Sequence, residues 1–148
     1  MQRNGPFSAT NVAISFEVER VNVGNALEMT SGMFMAPRTG TYFFSFSGLA
    51  SFPETTSLDR ANLEIGLYLG GNSIGRVQAQ ESNTVSNKFS SLSLQSTLNL
   101  VKDVSIWLQI DVMSSGVVLY DDATSERGGH WTHFTGWMLE EDIIASIV

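Results

Sequence analysis

The sequence contains no cysteine. Disulfide frameworks, thiolate nucleophiles and cysteine-ligated metals are therefore excluded together. Lysine is almost as scarce, with only Lys88 and Lys102, and the formal net charge is −7. A nucleic-acid binder needs a cationic surface to displace counterions from phosphates, so that partner is not expected. The same sign of charge argues against anionic lipid surfaces. No apolar run approaches the roughly 20 residues that cross a bilayer, so no membrane span is expected. The stretch from Met1 to Pro6 lacks the apolar core of a secretory signal peptide. Gly-X-Y tracts, internal repeats and Asn-X-Ser/Thr sequons are also missing. A collagen stalk, a solenoid or propeller, and N-glycosylation are accordingly not expected within this chain.

What the chain does contain is alternation. Its 148 residues, 43% of them hydrophobic, suit one compact domain with a true core. Apolar residues recur at every second position between clusters of Gly, Ser, Asn and Pro, the pattern of half-buried strands. A first strand is predicted over residues 12–18, with Val12, Ile14, Phe16 and Val18 on one face. Tyr42, Phe44 and Phe46 share a face, as do Leu63, Ile65, Leu67 and Leu69, and then Leu92, Leu94, Leu98 and Leu100. Val104, Ile106, Leu108, Ile110 and Val112 repeat the pattern, and the last strands are predicted over 117–120 and 132–139. Gly70 and Gly71 before Asn72 mark a hairpin turn, since nothing of a phosphate-binding loop accompanies them. Many short strands without intervening helices mean a sandwich or barrel.

Several segments, in order, carry a resemblance. Gly32, Phe34, Ala36, Pro37, Gly40, Tyr42, Phe43 and Phe44 form the most specific block. Around it stand Val21-Asn22-Val23-Gly24, Leu98-Asn99-Leu100 with Asp103 and Trp107, Val118 to Asp122, and Phe134-Thr135-Gly136-Trp137. This arrangement resembles the globular-head domain of the complement C1q family, in particular its invertebrate and cerebellin-like members. The resemblance implies an all-β, ten-stranded jelly-roll sandwich of the C1q/tumour-necrosis-factor type, assembled as a homotrimer. It places the domain at 12–139, after a flexible segment 1–11 and before a tail 140–148. Lys102 stands where the family usually has Gly. Phe34, Pro37, Gly40, Tyr42, Phe44, Phe46, Phe134 and Gly136 are expected to be framework residues. The physics agrees for several of these: Pro37 suits a strand entrance, and the large rings supply core area.

Catalytic and metal chemistry find little support. His130 and His133 are the only histidines. Three residues apart on a strand, they would face opposite sides, and no third ligand accompanies them. No nucleophile stands beside a base at motif level, so no enzyme is expected. Some family members bind calcium through acidic loop residues. Calcium takes roughly six to eight oxygens, whereas the corresponding stretch here, from Glu81 to Asn87, offers one carboxylate. No cofactor is expected; the carboxylates of Asp121 and Asp122, with Glu126, are the remaining cation candidates.

The loops 51–62, 80–88 and 121–129 are the expected binding surfaces, with Glu81, Asn83, Asn87, Asp121 and Asp122 as ligand contacts. Aromatics on the second faces of strands need cover from elsewhere. Phe43, Trp107, Trp131 and Trp137 are therefore expected in a subunit interface. The tail places Glu140, Glu141 and Asp142 before an apolar group, which suits either a short helix or a frayed end. The resemblance implies a secreted recognition module for carbohydrate, microbial-surface or protein ligands. A secreted signalling or synapse-organising ligand is the alternative.

Overall fold

A computed structural model describes residues 1–122 and 129–144. The alternation becomes eight strands: β1 (Phe34–Met35), β2 (Gly40–Phe52), β3 (Ala61–Leu69), β4 (Asn72–Glu81), β5 (Lys88–Leu100), β6 (Ser105–Met113), β7 (Val118–Tyr120) and β8 (His133–Glu141). All pairings between them are antiparallel. One sheet has the order β1-β6-β3-β4. In the other, β2 is central: β5 runs along one edge, and β7 and β8 lie end to end along the other. The β3–β4 hairpin turns through Gly70 and Gly71, both at positive φ (55° and 98°), as a two-residue turn between twisted strands requires.

Among the described residues, eight ladder strands stand where the resemblance implies ten. The segment 12–18 does not form a ladder. It crosses from one sheet to the other, Ala13 bridging Gln109 of β6 and Val18 bridging Gln2. Asn11, in the left-handed region at φ 58°, turns the chain at the start of this crossing. Ile14 and Phe16 are buried as expected, but Val12 is turned outward and 50% exposed. Segment 1–11, which the pattern sets outside the domain, is bonded to it. Gln2 bridges His133 and Phe7 bridges Leu119. Arg3 is buried beneath this segment. Its guanidinium donates to the Ser15 carbonyl at 2.8 Å and the Glu17 carboxylate, and lies 4.9 Å from the Phe7 ring centre. A buried cation needs such partners, and here they are drawn from both sides of the crossing.

The core lies between the sheets. Along β2, Tyr42, Phe44 and Phe46 point inward with exposures of 2% or less. Phe34 meets Phe44 edge-on at 5.1 Å, Phe44 stacks on Phe134 at 6.0 Å, and Phe134 reaches Phe16 at 5.6 Å. Such offset and edge-on pairs add to the area they bury. The hydroxyl of Tyr42 satisfies itself by donating to the Arg38 carbonyl at 2.7 Å, just after Pro37. Gly136 lies opposite Phe44, and a Cβ there would come within 2.6 Å of the Phe44 ring. Gly40 is hemmed by the Glu140 carbonyl, which a Cβ would meet at 2.2 Å.

Three register shifts break the alternation; one, between Leu67 and Tyr68, leaves Ile74 as the extra residue of β4. Ile65 pairs Ile110 but Glu64 pairs Val112, so Asp111 is the extra residue of a bulge in β6. Val112, expected on the core face, is turned outward to 45% exposure as a result. In β8 the shift falls between the partners of Thr41 and Tyr42, leaving Leu139 as the extra residue.

Candidate recognition site

Phe52 at the end of β2 pairs with Lys88 at the start of β5, so the connections 53–60 and 82–87 emerge at the same end of the sandwich. They are bonded into one unit. The Thr55 amide donates to the Thr84 carbonyl at 2.9 Å, and the Asn83 amide to the Ser57 carbonyl at 2.9 Å. The Thr84 hydroxyl donates to the Pro53 carbonyl at 2.6 Å and is buried in doing so. Between these loops and Ser114 and Ser115 lies a cleft of about 440 Å³. Its lining includes Thr55, Ser57, Asp59, Arg60 and Glu81 with Phe52 and Pro53.

The expected ligand contacts are divided by this geometry. Glu81 lines the cleft, but both its oxygens are engaged, by Lys88 at 2.8 Å and Ser90 at 2.7 Å. Those hydrogen bonds, that to Lys88 foremost, hold its carboxyl below the ordinary glutamate range. Asn83 takes a left-handed backbone (φ 49°) that seats the loop contact with Ser57. The Asn87 side-chain oxygen accepts from the Glu54 amide at 3.3 Å. Thr84, unremarked in the sequence, is the hinge pin of the loop pair, because its hydroxyl replaces a backbone partner for Pro53.

The third expected loop lies elsewhere. Tyr120 pairs Leu49 and His133 pairs Ser47, so the connection from β7 to β8 leaves and re-enters beside the middle of β2. Residues 123–128, Glu126 among them, lie outside the described residues. Asp121 is 2% exposed and fully engaged in holding the chain. Its carboxylate accepts the amides of Trp131 at 2.5 Å, Thr132 at 3.1 Å and Gly5 at 3.4 Å, and faces His130 Nδ1 at 2.8 Å. Asp122 beside it is half-buried. His130 is not on a strand with His133 after all, because the chain bends around Asp121 before β8 begins. The His133 ring spans Gln2 and the His130 carbonyl. Among the described residues, no group of three or more acidic or histidine side chains could hold a metal ion.

The second-face aromatics also separate. Phe43 and Trp137 meet across β2 and β8 with ring centres 4.7 Å apart, on the outer face of the β5-β2-β8 sheet. Trp107 lies on the outer face of the other sheet, stacked on Tyr68 at 5.5 Å. Trp131 precedes β8 and is 55% exposed beside the Asp121 turn. Alternation gives each ring its side of a strand but not which sheet the strand joins.

The outer face around Phe43 and Trp137 has a second property. From β2 it presents Thr41, Phe43, Ser45, Ser47, Leu49 and Ser51, and from β5 the cross-strand partners Asn99, Thr97, Gln95, Ser93, Ser91 and Phe89. His133, Thr135, Trp137 and, opposite Thr41, Glu140 of β8 complete it. Of these only Glu140, at one end, is formally charged, in a chain whose formal net charge is −7.

A two-sheet antiparallel sandwich with bonded end loops and a largely uncharged outer face is a jelly-roll recognition scaffold. A family model described as the C1q domain matches residues 1–139, and the chain belongs to that family. Its proteins are non-enzymatic recognition or signalling proteins. The human and the mouse Complement C1q tumor necrosis factor-related protein 3 are each 29% identical over 137 residues, 91% of this chain and 48% of theirs. The chain thus spans about half the length of these curated relatives. Among solved structures, the globular domain of zebrafish Complement 1qA protein matches with a TM-score of 0.62 and 17% identity, covering 95% of this chain and 94% of that one. This likeness shows the fold.

Proposed function

We propose that the chain is an extracellular recognition domain that assembles as a homotrimer and engages carbohydrate or microbial-surface ligands through its bonded loop end. The observation that carries this reading is the cleft of about 440 Å³ held open by the 53–60 and 82–87 loops. Its hydroxyl, carboxylate and apolar lining suits a ligand with many hydroxyl donors. A weak single site becomes useful when three copies act together, by roughly 10²–10⁴ in avidity. Binding is independent of calcium, since Glu81 is held by Lys88 and Ser90. A screen against glycans and bacterial surfaces, with calcium and with chelator, tests this. Binding should survive chelation and disappear in Ser57→Phe, which fills the cleft. Failure to bind any glycan or surface would favour a signalling ligand, a reading supported by the tumor necrosis factor-related name of the relatives.

Self-association uses this largely uncharged face. Burying Phe43, Trp137 and their hydroxyl-bearing neighbours against another copy desolvates no ion where Glu140, at the end of the face, stays at the rim. A three-fold ring joins two different patches of each subunit, so this face meets another surface of its neighbour. Sedimentation at low micromolar concentration should show a trimer, and Trp137→Glu should yield monomers with the thermal stability of the isolated fold. A monomeric parent chain would refute the assembly.

A further inference from the structure

The outer face of the β1-β6-β3-β4 sheet, away from both the loop cleft and the outer face of the β5-β2-β8 sheet, carries a fixed aromatic shelf. Tyr68 and Trp107 are direct cross-strand partners, their rings parallel within 8° and 5.5 Å apart between centres. Both are partly exposed. A polar file runs beside them along β6. The Trp107 indole donates to Gln109 Oε1 at 3.3 Å, and Gln109 Nε2 donates to Asp111 Oδ1 at 3.0 Å. The Tyr68 hydroxyl donates to the same Asp111 oxygen at 2.7 Å. That bond raises the phenol above its ordinary titration range, so it remains a neutral donor.

Three details set this cluster apart from ordinary surface aromatics. The β6 bulge exists at Asp111 and puts its carboxylate beside Tyr68; bulges commonly re-aim a side chain in this way. Gly66 leaves the space for it, because a Cβ there would meet Asp111 Oδ2 at 2.5 Å and Tyr68 at 2.8 Å. Finally, Asp111 Oδ2 is enclosed and has no hydrogen-bond donor. A carboxylate oxygen without a donor is expensive to keep, by about 1–3 kcal/mol or more.

We infer that this shelf is a binding site for a neutral pyranose, the terminal ring of a glycan. Such a ring has an apolar C–H face to lie on the outward face of the stacked Trp107–Tyr68 pair, and hydroxyls along its edge. One hydroxyl donates to the Asp111 carboxylate, and a neighbouring one accepts from the second hydrogen of the Gln109 amide. The carboxylate excludes acidic sugars. The shelf is already ordered by its own hydrogen bonds, so little side-chain freedom is lost on binding. It is a site separate from the loop cleft, and stands or falls apart from it.

The chain has three tryptophans, so three indole N–H signals report on the whole surface. Uniformly ¹⁵N-labelled protein would be titrated with methyl glycosides of glucose, galactose, mannose and N-acetylglucosamine, to about 50 mM, as befits a millimolar site. The Trp107 signal should move saturably with at least one of these, while those of Trp131 and Trp137 stay in place. Gln109→Ala and Asp111→Asn should each weaken that titration about tenfold, the loss of one charge-assisted or amide hydrogen bond. Ser57→Phe, in the loop cleft, should leave it unchanged. No movement of Trp107 with any probe, or equal titration in the Gln109 and Asp111 variants, would overturn the site. Loss of the Trp107 response in Ser57→Phe would assign the binding to the cleft instead.

Discussion

Asp121→Ala is expected to lower stability by about 3–5 kcal/mol, the range for stripping a buried charge-assisted network of its shared acceptor. The carboxylate holds the amides of Trp131 and Thr132, both beside the start of β8, together with the His130 ring and Gly5 of the segment 1–11. Thr132 is completely buried, so its amide could not turn to water when the acceptor is gone. Asp121→Asn is the informative comparison. It keeps one carbonyl oxygen for the Trp131 and Thr132 amides but sets an amide N–H₂ toward His130 and Gly5. Its loss should be about half that of alanine. Urea denaturation of both variants would measure the difference. An alanine variant within about 0.5 kcal/mol of the parent would mean that Asp121 does not organise this junction.

Phe44→Ala should be similarly damaging, by about 3–5 kcal/mol, because the ring is 1% exposed and fills the centre of the aromatic chain. The cavity would be lined by Phe34, Phe134 and Tyr42, which are held by other contacts and cannot all collapse into it. Gly136→Ala is destabilising for the opposite reason, overpacking, by about 1–3 kcal/mol. A Cβ at 136 needs the volume that the Phe44 ring occupies, 2.6 Å away. The double variant Phe44→Leu with Gly136→Ala should therefore lose less than the sum of its parts, by about 1 kcal/mol or more. Additive losses would show that the two positions do not share one space.

The framework was legible in the sequence because its cause is local. Tyr42, Phe44 and Phe46 alternate with Phe43 and Ser45, and a strand places alternate residues on opposite faces whatever it pairs with. The resemblance put Phe34, Phe134 and Gly136 among the framework residues. Alternation failed for Val112 and for the 12–18 strand. A bulge, and a crossing between sheets, leave the alternation of residue types intact while changing where those residues point. The histidines show the same limit: His130 and His133 keep their spacing, but the bend around Asp121 removes one of them from the strand.

The candidate surfaces were legible only in part. Loops rich in Ser, Asn, Glu and Pro could be located, and Glu81, Asn83 and Asn87 with them. Their partners could not, because the amide of Thr55 and the carbonyl of Thr84 are joined by folding alone. Asp121 reads in the sequence as a loop acid beside Asp122, a candidate cation and ligand contact. Only the enclosed site between β7, β8 and the segment 1–11 makes it a shared acceptor.

The conclusion that the sequence determined by itself was the class of the molecule. With no cysteine, no helical period and an uninterrupted run of alternating strands, an all-β sandwich held by its own aromatic core was the remaining solution. The block from Gly32 to Phe44 tied that sandwich to one family. The tertiary structure decided which faces are shared. It joined two loops at one end and moved the third to the side, parted Trp107 from Phe43 and Trp137, and set Asp111 against Tyr68 over Gly66. The reason is physical. Burial and alternation are properties of a strand and its neighbours in sequence, whereas sheet membership, register and bulges are settled between strands that are far apart along the chain.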